Sequence, residues 1–298
     1  MKDDFSKELV DSLIEDKKSE RKLKIITRIS ILVIFVVLIF SSFLFSTENN
    51  IYSRQHTAVI KIDGFISPAE ETNTENIISL VSKAMKNNYC NNIILKINSS
   101  GGSATQSKII FDQINKLKSI NNKKVFSVIE DVGASGGYYI AASGDKIFSS
   151  SSSIVGSIGV RLDSINIRSL MDKLGIKSQT IFSGEDKGIL DPFADMTKKH
   201  KTHLKKLLVN IHQDFIKDVK ESRKDLINND IVFTGLFWTG NEAIKLGLID
   251  EIASIYDVNT KYFNNDYMIT YNKESTYIER ILKSTINLIN NNTMSLIH

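Results

Sequence analysis

Ser135 stands in DVGASGGYYIA, between Gly133 and the pair Gly136-Gly137, where an apolar run, VFSVI (125–129), gives way to a helical pattern of small residues. A serine on such a strand-to-helix turn has its hydroxyl lifted clear of the sheet, in the position of a nucleophile. The amide of the next residue, Gly136, is then a donor for a developing oxyanion. A second pair, Gly101-Gly102 in KINSSGGSA, ends the preceding strand pattern and makes Gly102 the candidate for the other donor. In an α/β sheet these turns gather at the carboxyl ends of the strands, where ligands bind. Two other readings of GASGG stay open, a tight helix–helix contact and a phosphate-binding turn, although the GxGxxG and GxxxxGK[ST] spacings are absent.

A serine nucleophile needs a base. The histidines are His56, His200, His203, His212 and His298; the middle three fall on a Lys-rich helical pattern with Lys198, Lys199, Lys201 and Lys205. His200 and His203 share a helical face, but with lysines around them they read as solvated surface rather than as a metal site. No histidine is placed for a Ser-His-Asp triad. A lysine amine serves instead once burial lowers its pKa by about 3 units from about 10.4, leaving roughly half of it neutral near neutral pH. Lys187, in IFSGEDKGILDPF, differs in context from the other lysines, standing between the apolar pair Ile181-Phe182 with its Ser-Gly turn and Gly188, Ile189 and Pro192-Phe193; the alternative that it is a solvated loop residue stays open.

These residues need a scaffold. Strand patterns at AVIKI (58–62), IILKI (93–97), VFSVI (125–129) and KIF (146–148) alternate with helical patterns. The first helix has Ile77, Ile78, Leu80, Val81, Ala84 and Met85 on one face; others run over about 104–117, from Ser135, over about 196–223 and after Thr239. This rhythm predicts βαβ units and a largely parallel sheet, an α/β fold.

Of 298 residues, 42% are hydrophobic and 24% charged, as in globular proteins. A net charge of +4, scattered along the chain, disfavours a nucleic-acid binder. The lone Cys90 excludes an internal disulfide, a Cys-rich zinc site and a CxxC motif, and leaves no thiol rival to Ser135. From Ile29 to Ser46 about 18 residues carry no charge, and Lys17, Lys18, Arg21, Lys22, Lys24 and Arg28 precede them. The pattern predicts a cytoplasmic tail (1–24), one N-terminal transmembrane helix as a signal-anchor (25–46), a linker (47–56) and an exported domain (57–259). Residues 260–298, Asn-rich and with the amphipathic YIERILKSTINLI, read as a C-terminal extension. A cleavable signal peptide is the competing reading, but Phe43 and Phe45 stand where small residues belong.

GASGGYYIA, NSSGGS, GSIGV (156–160), SGEDKGILDPF and WTGNEAIKLGLIDE (238–251) together resemble the signal peptide peptidase A family of serine peptidases, in its short form. The resemblance spans residues 57–255 and implies a crotonase/Clp-protease-like repeated β/α core. It implies a Ser-Lys dyad with Ser135 as nucleophile and Lys187 as general base, Ser157 orienting the lysine, and Gly136 and Gly102 as oxyanion donors. It further implies residual signal peptides as substrates at the outer face of the bacterial cytoplasmic membrane. A homo-oligomeric ring with dyads shared between protomers follows from it as well, and neither metal nor cofactor is called for. Where the family commonly has Ser-Pro-Gly-Gly, this chain has Ser99-Ser100-Gly101-Gly102. The same fold hosts acyl-CoA enzymes, and a catalytically silent membrane scaffold is the other alternative.

Overall fold

The computed structural model describes residues 17–39, 52–223, 229–264 and 267–272, and the chain divides into two compact units, Met1–Arg54 and Gln55–His298. In the first unit residues 17–39 form one helix, α1, whose large apolar side chains from Ile25 to Ile39 are exposed. Among the described residues no helix is long and apolar enough to cross a membrane. The span predicted as an anchor, 25–46, is helical as far as 39, and its remainder lies outside the described residues. So do residues 1–16 of the predicted tail and 273–298 of the predicted extension.

The second unit is built on an eight-stranded sheet. Its centre is three parallel strands, β1 (His56–Ile66), β2 (Cys90–Gly102) and β3 (Lys124–Ala134), joined through α2 (Thr74–Lys86) and α3 (Ala104–Asn121). Asn73 and Ser103 cap these helices by accepting from Asn76 and Gln106 amides. Beyond β3 the sheet divides: β4 (Lys146–Ser149) pairs with residues 126–129, and β5 (Ile154–Gly156) with residues 132–134. β6 (Phe237–Thr239) runs antiparallel to β5 as an edge, the exception to the predicted parallel order, and β7 (Glu251–Ile252) pairs with β4. At the opposite edge β8 (Tyr267–Tyr271) lies parallel to β1, so the sheet reaches past residue 259, where the sequence pattern ends the domain.

Both faces of the central strands are buried, as a parallel sheet requires. Val59, Ile94, Phe126, Val128 and Phe148 face α8 (Ile255–Phe263), packing with Ile255, Val258 and Phe263. Their neighbours Ile60, Ile62, Ile93, Leu95 and Ile97, all fully buried, point the other way by strand alternation, with α2 and α3 packed against β1 and β2.

The central strands lose regular register at one level: β1–β2 shifts between Asp63 and Phe65, β2–β3 between Ile97 and Ser99, and β3 changes partner between Ile129 and Val132. Such irregularities bend strands and re-aim the residues beyond them. Here those residues are Gly102 at the end of β2 and Ser135 just past β3, the latter leading into α4 (Gly136–Ala141), which is wholly buried. Tyr138 of α4 is 0% exposed and donates to the Leu248 carbonyl at 2.7 Å. Tyr138→Phe leaves that acceptor without its donor and should destabilise the domain by about 1–3 kcal/mol, read as a lower denaturant midpoint.

Candidate active site

Ser135 joins β3 to α4 with φ 51° and ψ −120°, a conformation that a non-glycine residue holds only where its surroundings enforce it. Two backbone bonds do so. Its N–H donates to Gly156 O at 2.8 Å, and its carbonyl accepts from Tyr139 N–H at 2.9 Å. The residue is half-buried and lines a cavity of about 870 Å³.

The turn after β2 meets this elbow backbone to backbone. A Cβ on Gly101 would stand 2.7 Å from Gly136 N and 2.9 Å from Ser135 Cβ, while one on Gly102 would stand 2.1 Å from Ile66 O. A Cβ on Gly136 would meet Ser107 Oγ at 2.4 Å and Gly102 N at 3.3 Å. The backbones of Gly136 and Gly102 are therefore neighbours across the two turns, and both residues line the cavity. Ser99 fixes the approach, its hydroxyl donating to Gly64 O and accepting from Gly101 N–H.

Ser157 comes directly after β5 with φ 53°, its N–H donating to Leu236 O at 2.7 Å, and it too lines the cavity. Four of the five predicted residues, Ser135, Gly136, Gly102 and Ser157, thus share one cavity. Lys187 does not join them within one chain: it is exposed, in a turn where its N–H reaches Gly184 O, and is not part of the cavity lining. Asp186 beside it is turned to α6 (Lys198–Ser222), meeting Lys199 Nζ at 2.9 Å and His200 Nε2 at 3.0 Å. Hydrogen bonds from Lys199 and then from His200 hold that carboxyl below its usual range. His200 therefore has an acidic partner that the local sequence hid, whereas His203 is exposed as predicted.

Sequence patterning passes over the far wall of the cavity. Ile211, His212 and Phe215 of α6 form it with Tyr139 and Val160. Phe215 stacks on Tyr139 with ring centroids 4.1 Å apart and planes 10° apart. Asp218, one turn on, accepts from the Tyr139 hydroxyl and from Lys108 Nζ at 2.9 Å. Burial, then the bond to Asp218, raises the Tyr139 phenol well above its ordinary pKa. His212 Nε2 lies 3.1 Å from Ile158 O. The signal available in the sequence was the spacing 212, 215, 218, 219, one face of a helix. Among the described residues no His, Cys, Asp and Glu cluster could hold a metal ion.

The profile of peptidase family S49 matches residues 118–265, and that of Clp protease residues 47–155. A Brucella melitensis protein named as a Na(+)/H(+) antiporter NhaA is 40% identical over 187 residues, 62% of this chain and 25% of that protein. A putative protease of Methanocaldococcus jannaschii is 35% identical over 197 residues, 66% of this chain and 63% of that protein. This chain thus spans about a quarter of the first relative and under two thirds of the second. The probable protease SohB of Buchnera aphidicola is 30% identical over 216 residues, 72% of this chain and 70% of that protein. A site serine on a Clp-protease-like sheet, the S49 match and the likeness to SohB over most of its length lead to one conclusion: this chain belongs to peptidase family S49.

Proposed function

We propose that the chain is a membrane-anchored serine endopeptidase that cleaves extended hydrophobic peptides, residual signal peptides among them, at the outer face of the cytoplasmic membrane. One observation carries this reading: Ser135, strained, lines a cavity that Gly136 and Gly102 of the two abutting turns also line. The Ser135 hydroxyl attacks the peptide carbonyl as a lysine amine takes its proton. The two amides hold the oxyanion, each such donor contributing about 100- to 1,000-fold in rate. Collapse breaks the C–N bond, the lysine ammonium returns its proton to the leaving amine, and water, deprotonated by the same lysine, hydrolyses the acyl-enzyme. Phe65, Ala104, Tyr139, Val160 and Phe215 along the cavity suit an apolar peptide.

The lysine is Lys187 of a neighbouring copy. From 159 to 214 no residue is buried, yet Ile165, Leu174 and Ile181 there are 75%, 65% and 98% exposed. Apolar side chains left exposed in this way are suited to lie against a second subunit. That contact would also exclude water from the amine, the condition for a lysine base. The exposed apolar face of α1, continued by the uncharged run to Ser46 and preceded by basic residues, supports the anchor and its orientation.

A fluorophosphonate probe should label Ser135 in the intact protein, and Ser135→Ala should lose the label and at least about 1,000-fold of the peptide cleavage. Full activity in that variant would sink the peptidase reading. Mixing Ser135→Ala with Lys187→Ala copies should restore about a quarter of wild-type turnover, since a working site in a ring then needs the two variants in one order. Mixed rings without turnover would exclude the shared dyad.

A further inference from the structure

The turn from Gly156 to Ile158 is coupled directly to the nucleophile, because Gly156 O accepts the Ser135 N–H at 2.8 Å. It also holds Ser157 at φ 53°, in the left-handed region that costs a non-glycine residue energy. Besides the strand pairing of Gly156 with Ala134 and Phe237, three hydrogen bonds hold it. Two are backbone to backbone, Ser135 N–H to Gly156 O and Ser157 N–H to Leu236 O. The third comes from a side chain: His212 Nε2 at 3.1 Å from Ile158 O. A carbonyl only accepts, so the imidazole carries its proton on Nε2 and donates.

The donor is itself rigidly placed. One turn beyond His212, Phe215 is clamped on Tyr139, and Asp218 binds the Tyr139 hydroxyl and Lys108. Ile158, the acceptor, is 0% exposed. We propose that His212 is a positioning residue of the proposed peptidase, holding the Gly156–Ile158 turn so that Ser135 and Ser157 keep their orientation in the cavity. The inference rests on the peptidase reading and goes beyond it by giving α6 a role in turnover. It uses the imidazole as a hydrogen-bond donor and moves no proton.

Two substitutions separate donor from shape in the full-length protein. His212→Gln keeps an N–H donor at about the distance of Nε2, whereas His212→Phe keeps the ring and removes the donor. His212→Gln should keep kcat within about threefold of wild type. His212→Phe should lower kcat and the rate of fluorophosphonate labelling by about 10- to 100-fold with KM changed less than about twofold, the expected cost of a small misplacement at a reacting group. Should His212→Phe fail to fold or assemble, judged by melting and sizing, His212→Asn replaces it: polar but too short to reach Ile158 O, it should lose as much. Wild-type kcat in the donor-less variant, or an equal loss in His212→Gln, would overturn the proposal. A wild-type protein that does not label at all would instead overturn the peptidase reading.

Discussion

Two strand-to-helix turns touch through their backbones at Gly101, Gly102, Gly136 and Gly137, and the rest of the site is arranged around that contact. A Cβ on Gly137 would stand 2.5 Å from Ser99 O, as a Cβ on Gly101 would stand 2.7 Å from Gly136 N. No side chain larger than hydrogen fits the seam. Because β2 and β3 are parallel neighbours that bend at the same level, their carboxyl ends deliver both turns to one place. The close approach brings the backbones of Gly101 and Gly136 together beside Ser135, whose strained backbone is tied down by Gly156 on one side and Tyr139 on the other.

Tyr139 links this seam to α6. It belongs to the buried helix that Ser135 opens, yet its ring stacks on Phe215 and its hydroxyl ends at Asp218. A buried carboxylate with a phenol and the Lys108 ammonium as donors is satisfied, which is the condition for tolerating a charge there. The same helix that presents Lys198, Lys199 and Lys201 to solvent thus supplies cavity-lining residues further along.

Beyond Ser157 the chain changes character. Residues 159–214 bury nothing, and α5 (Arg168–Lys173) has no buried residue. In place of a core the segment is stitched by polar contacts such as Arg168 to Asp195 at 2.7 Å and Lys199 to Asp186. Exposed ion pairs of this kind contribute little stability. The apolar residues between them are the part of this domain whose packing a single chain leaves undecided.

Much of this was legible in the residues alone. The alternation of strand and helix patterns, the glycine pairs after β2 and β3 and the place of Ser135 are local signals: period, turn chemistry and the lack of a side chain act within a few residues. Ser157 is different: no local signal names it, only the family resemblance does, and it lines the cavity. Tertiary structure decided the rest. Helical spacing puts His212, Phe215 and Asp218 on one face, but nothing local says that the face meets Ile158 and Tyr139, residues distant in the chain. The acidic partner of His200 likewise comes from another segment. The edge strand β8 looked like a tail because pairing with β1 is a long-range event. Lys187 is the converse case: its motif names it, while the fold of one chain leaves it exposed and outside the cavity, because the segment carrying it has no core of its own to pack on.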